Sequence, residues 1–347
     1  MGSAPANTYY LCFPRKKEKR VWNPFEPAPT PHLYARTTYL GGVFRMMEQH
    51  LREPGLTFYL TPSLRSLPSY GPDVVAVVQG DESARIPAYF HKVRATFKCY
   101  GTRLARPASF WAAPSYQNLL GHAQFMRDTA RGLPGRLRYT RHQRRQHSGL
   151  PPIYPIPLGY ANQLALPVKP IEERTADVFF AGSVVHKAYP TWSPKRWFRS
   201  PKDLARSTML AGLDAARQRV PGLKIDLQVQ SSYRRSIQAS AAAYSAGMMD
   251  AKICLVPRGA SLETFRFFEA MRYGCVTIAE ALPPYWFYEE APAIQVAHWR
   301  ELPETLASLL ADPDRLRATH TATLAWWHAR CSEEAVGRYF AEKLNTP

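Results

Sequence analysis

Along the chain, short continuous apolar runs alternate with stretches of helical spacing. In the first half, Tyr9–Phe13, Leu56–Leu60, Asp73–Val78 and Val93–Tyr100 read as strands. Tyr39–Leu51 and Gln117–Arg131 read as helices, the second closed by Gly132 and Pro134. In the second half, strands are predicted at Asp177–Phe180, Lys224–Val229, Ile253–Val256, Cys275–Ile278 and Ala293–Val296. Helices are predicted over Lys202–Arg219, Ser236–Met249 and Leu302–Leu310, and almost without a break over Pro313–Lys343. Strands apolar on both faces and separated by helices belong to parallel sheets covered on both sides. The expected fold class is therefore α/β.

Leu150–Tyr160 (LPPIYPIPLGY) is dense in proline, which resists helix and central strand alike and suits a linker. We place a boundary near residue 160, with a first α/β domain over 1–160 and a second over 161–325. Residues 326–347 form a terminal helix. A chain of 347 residues is the right length for two such domains.

The chemistry concentrates in the run from Cys254 to Ile278, CLVPRGASLETFRFFEAMRYGCVTI. It reads as buried strand, Pro-Arg-Gly turn, helix and second strand. Ligands of parallel α/β units bind outside the carboxyl ends of the strands, where Arg258 and Gly259 stand. Arg266 and Glu269 are three apart on the following helix and share a face. An arginine fork suits phosphate oxygens and a carboxylate suits a vicinal diol. Taken alone, the same spacing also fits a surface ion pair, and Arg258 a solvated turn residue.

This run resembles the nucleotide-sugar half of the exostosin-like glycosyltransferases: CLVPRG, then FRFFEA, then Gly-Cys-Val into a strand, in that order and spacing. Tyr244–Ala251 before it, and Pro283-Pro284 with Trp286-Phe287 after it, extend the likeness over about residues 176–310. The resemblance implies a GT-B architecture: two Rossmann-like domains facing a cleft, with a C-terminal helix packing back on the first. It implies inverting transfer from a nucleotide-diphosphate sugar, UDP-linked, to a hydroxyl of a glycan or other acceptor. Arg258 and Arg266 then become diphosphate ligands and Glu269 a ribose or base-proximal ligand, with Gly182 and Ser183 approaching the phosphates through backbone amides. No cofactor and no metal are expected. A non-catalytic glycan-binding or scaffold subunit of the same fold is the second reading.

Inverting transfer needs one general base, which the first domain should supply. Asp81 and Glu82 follow the apolar run Val74–Val78 and so stand at a strand's carboxyl end, where a solvated turn or helix cap is equally in keeping. His91, His122, His142 and His147 fit ordinary core or surface roles better.

Net charge changes the picture of partners. With 45 Lys+Arg against 27 Asp+Glu the balance is +18, which favours anionic partners without choosing among them. Arg136–Arg145 carries five arginines and no acid, and suits an acidic glycan, an anionic membrane surface, a nucleic-acid backbone or simply solvent. Lys187, Lys195, Arg196 and Arg199, interleaved with Tyr189, Trp192, Trp197 and Phe198, could line an acceptor. No nucleic-acid recognition motif supports a nucleic-acid partner. Five scattered cysteines form no CxxC pair, so a reduced setting is expected. The first residues lack a signal-peptide pattern, and the expected location is cytoplasmic, peripheral to the inner face of a membrane at most.

Overall fold

The computed structural model describes residues 6–13, 18–26, 31–107, 109, 111, 114–145, 149–161, 163–183, 200–230 and 241–346. They build two parallel sheets that face each other across a cleft. The first takes β1 (Thr8–Phe13), β3 (Thr57–Thr61), β4 (Gly71–Val78), β5 (Val93–Lys98) and β6 (Ile153–Pro155) in simple sequence order, with β2 (Glu18–Val21) antiparallel on the outer edge. The second takes β7 (Ala176–Ser183), β8 (Ile225–Gln230), β9 (Ala251–Val256), β10 (Val276–Ala279) and β11 (Ile294–Gln295) in the order β11-β10-β9-β7-β8.

That second order reverses between β7 and β9. Connections leave the two strands in opposite directions there, opening a crevice at their carboxyl ends. The first sheet has no such reversal. Any crevice of this kind therefore belongs to the second half.

Strict alternation explains the second core. Val178 and Phe180, Ile253 and Leu255 point to one face, where they meet α3 (Pro201–Arg219) and α6 (Leu302–Leu310). Phe179, Ala181, Cys254 and Val256 point to the other, against α4 (Ala241–Met249) and α5 (Phe265–Arg272). In the first sheet Val75 and Val77 face α1 (Pro31–Glu48), while Val74, Ala76 and Val78 are covered by Leu67, Tyr89 and Val93. Burial on both faces is why Val74–Val78 of β4 is an unbroken apolar run.

Three features differ from expectation. The helix α2 does not stop at Gly132 and Pro134; it runs from Tyr116 to Arg145. Its glycines serve close approach rather than capping: Gly121 faces Arg258, and a Cβ on Gly135 would lie 3.3 Å from Ile86. The proline-dense segment contributes β6 at the edge of the first sheet, a place where a missing N–H is tolerated. The helical tail is broken by a π-turn at Trp327–Cys331, which divides α7 (Pro313–Trp326) from α8 (Glu333–Asn345). Ser332 starts α8 by accepting from the Ala335 N–H at 3.2 Å.

The break re-aims the chain so that α8 returns to the first sheet. Gly337 lets α8 press on Val43 and Met47 of α1, and Phe340 stacks on Phe97 with ring centroids 3.7 Å apart. Truncating Phe340 to alanine would cost about 3–5 kcal/mol. This is the C-terminal helix of the expected architecture, packed on the first domain. No helix among the described residues is long and apolar enough to cross a membrane.

Candidate active site

Four cations collect at the carboxyl ends of β7 and β9. Arg266 lies in the first turn of α5, and its Nη2 donates to the carbonyl of Ala181, the residue before Gly182. Its guanidinium lies over the Phe180 ring, 4.9 Å from the centroid. A Cβ on Gly182 would sit 2.7 Å from Arg266 Nη2, so glycine is what allows this crossing. Arg206, one turn into α3, donates from Nη1 to the Ser183 carbonyl at 2.5 Å, and Lys202 Nζ lies 3.4 Å from Ser183 Oγ. Ser200 caps α3 by accepting from the Asp203 N–H. The starts of α3 and α5 thus meet at one strand end, and both favour anions.

Lys202, Arg206 and Arg266 are held close at an electrostatic cost. Burial, followed by the like charge of Arg266, pulls the Arg206 guanidinium down to about 9. Burial and the neighbouring Arg206 also lower Lys202. Arg258, emerging from β9, is lowered by burial; it is 7% exposed. The Nε atoms of Arg206, Arg258 and Arg266 are buried with no hydrogen-bond partner among the described residues. Buried N–H donors are rarely left so.

Arg258 also marks where the two halves touch. Its Nη2 donates to Gln124 Oε1 of α2 at 3.1 Å, and its backbone N–H donates to Glu280 Oε1 at 3.1 Å. A cleft of about 270 Å³ opens beside it, bounded by Gln117 and Gly121 on α2 and by Leu262, Glu280 and Gln295 opposite. A smaller recess on its other side reaches Glu82 and Asp128. Gly259 closes the turn by donating from its N–H to the Ser261 carbonyl at 2.9 Å.

The two carboxylates after β4 have different surroundings. Asp81 adopts a left-handed backbone (φ 79°) and buries its side chain. Its oxygens accept from the Arg85 backbone N–H at 2.5 Å and Nε at 2.7 Å, and Lys98 Nζ lies 3.3 Å away. Lys98 is fully buried; burial pulls its ammonium down, and Asp81 opposes that shift. Glu82 is exposed and borders the recess beside Arg258.

Glu269 is buried and is not among the residues that line the cleft or the recess beside Arg258. It is 4% exposed, and its carboxylate accepts from the Ala161 N–H at 3.0 Å and the Tyr244 hydroxyl at 2.5 Å. It clasps α5 to α4 and to the segment joining the domains. Gln163 adds to the clasp by donating to the Glu269 carbonyl at 2.7 Å. Arg266 and Glu269 therefore take separate partners instead of pairing.

The candidate histidines fall outside this group. His91 and His142 stack at 4.1 Å near the far end of α2, and His122 lies on the same helix. His147 and the basic-aromatic segment with Lys187, Lys195, Arg196 and Arg199 lie outside the described residues. The triplet Asp312-Pro313-Asp314 opens α7, with Asp312 accepting from the Arg315 N–H at 2.9 Å.

Lys202, Arg206 and Glu280 went unnoticed in the sequence. Arg206 carried a signal: with Met209, Leu213 and Ala216 it takes a place in the buried stripe of α3, where a cation is out of character. Glu280 directly follows the buried strand Val276–Ala279, a carboxylate at a strand's carboxyl end.

No family model matches the chain, and no curated protein matches it in sequence. Among solved structures it is similar to the GtfA/B complex (14% identity, TM-score 0.42, 88% of this chain and 60% of that one). It is also similar to sucrose-phosphate synthase from Thermosynechococcus elongatus (15%, 0.40, 88% and 92%). A third is the pneumococcal O-GlcNAc transferase GtfA in complex with UDP and GlcNAc (12%, 0.39, 89% and 61%). The chain spans about three fifths of the length of the GtfA/B chain it matches. Likeness at this level says nothing of chemistry, which rests on the cleft residues themselves.

Proposed function

We infer that this chain is an inverting glycosyltransferase that moves a sugar from a nucleotide-diphosphate donor to a hydroxyl of a glycan or other acceptor. The observation that carries this reading is the gathering of Lys202, Arg206 and Arg266 at the end of β7, with Arg258 at the end of β9. The three like charges at the end of β7 repel in the free protein. A diphosphate offsets that repulsion and offers acceptors to Nε–H groups that have no partner among the described residues.

In this reading the cations hold the donor and neutralise the diphosphate as it leaves, the role a divalent ion plays elsewhere. A metal-independent reaction is therefore expected. Glu82, exposed at the recess on the opposite wall, serves as the base that takes the acceptor proton as the hydroxyl attacks the anomeric carbon. Asp81 acts at one remove by neutralising Lys98 and holding the turn that presents Glu82. Glu269 acts through the placement of α5, and so of Arg266. Gly182 and Ser183 line the phosphate end, while Gly259 shapes the Arg258 turn.

Donor hydrolysis and transfer should be measured across a panel of nucleotide sugars, UDP-linked ones first. Wild type should turn over at least one donor, and Glu82→Gln should lower the rate by about a hundredfold or more. Glycan binding by wild type without turnover of any donor would favour the non-catalytic reading.

A further inference from the structure

The helix α2 is inside out. Its inner face, towards the cleft, carries Gln117, Gly121, Gln124, Asp128 and Gly132. Its outer face carries Leu119, Met126, Leu133 and Leu137, each at least half exposed, with Ala123 and Ala130 between them. Steps of seven, seven and four residues put the four large side chains in one stripe. At 1.5 Å per residue that stripe is about 27 Å long. Globular helices turn such a stripe inward, so an exposed one marks a docking face.

Charge identifies the occupant. Arg127, Arg131, Arg138 and Arg145 border the stripe, and Arg141 and Arg144 continue it beyond Leu137; all are exposed. The only acid on α2, Asp128, is buried and paired with Arg127 and Arg131. A helix face with flexible aliphatic side chains, no aromatic anchor in the stripe and an arginine border is matched to an anionic surface with an apolar interior. We propose that α2 docks this protein on an anionic lipid bilayer, with Leu119, Met126, Leu133 and Leu137 in the head-group boundary and the arginines on lipid phosphates. The polar inner face would then remain on the cleft, and the bilayer would lie along one wall of the site.

Sedimentation with phosphatidylcholine vesicles, with and without phosphatidylserine, tests this on the full chain. Wild type should bind the phosphatidylserine vesicles at least about tenfold more tightly, and added salt should weaken that binding. Met126→Gln with Leu133→Gln and Leu137→Gln should lower binding about tenfold or more at unchanged thermal stability, because these side chains are exposed. As a second readout, Met126→Cys bearing an environment-sensitive fluorophore should shift blue on anionic vesicles. Equal binding to both vesicle types, or binding unaffected by the triple change with no blue shift, would overturn the proposal. So would a dimer in solution that Leu133→Gln dissociates, since the stripe would then be covered by a second copy.

Discussion

Arg266 passes over Gly182 so closely that a single added carbon would lie 2.7 Å from its Nη2. The obstructing atom is the end of a flexible side chain, so Gly182→Ala can be accommodated by moving the guanidinium off the Ala181 carbonyl. Folding stability should then change by less than about 1 kcal/mol, while affinity for a nucleoside diphosphate drops about tenfold. Thermal melts with and without nucleotide measure both. A loss of stability with full affinity retained would show that the crossing matters only to the fold.

Arg206 gives a contrast of opposite signs. It is buried beside Arg266, and burial with that like charge holds its guanidinium down to about 9. Replacing it by methionine removes a repelled charge from the stripe of Met209 and Leu213. Arg206→Met should raise the melting temperature of the free protein and abolish most of the shift produced by nucleotide. A lower melting temperature with an intact nucleotide shift would assign Arg206 a purely structural role.

Arg258 and Arg266 were legible in the sequence because strand-end chemistry is local. A buried strand, a Pro-Arg-Gly turn and a helix opening with an arginine lie within one run, and neighbouring residues settle where Arg258 and Arg266 go. Glu269 was not legible, because its partners Ala161 and Tyr244 come from distant segments. Asp81 escaped for the same reason, since Lys98 arrives from the next strand. The α2 boundary failed for another cause. Gly132 and Pro134 are good stop signals locally, but the inner face of α2 needs small residues to lie on the Ile86 segment. The inverted polarity of α2 also hid it, since a stripe shows periodicity without telling which side is buried.

Asp81 and Glu82 should separate cleanly under mutation. Asparagine tolerates the left-handed backbone at position 81, so the effect of Asp81→Asn falls on Lys98, left buried without its counter-charge. A loss of about 3 kcal/mol in chemical denaturation is expected. Glu82→Gln, on an exposed side chain, should leave stability within about 0.5 kcal/mol and remove transfer activity. The reverse pattern would move the base to Asp81.

Glu263 links the two halves by accepting from the Tyr100 N–H at 3.1 Å, and burial pushes its carboxyl up to about 8. The unfolded chain ionises this group near 4.5, so its contribution to stability is full below that pH and is lost as pH rises through about 8. Glu263→Gln keeps the shape without the proton. Its melting temperature should vary less over this window and exceed that of wild type above pH 8. Parallel pH curves for the two proteins would count against a protonated Glu263.

The central claim is that the cations at the ends of β7 and β9 hold a diphosphate. Calorimetric titration of uridine diphosphate and of uridine into wild type and Arg266→Ala tests it most directly. The diphosphate should bind at least about a hundredfold more tightly than the nucleoside, and Arg266→Ala should remove most of that difference. Equal affinity for the two ligands, or a difference that survives the loss of Arg266, would contradict it.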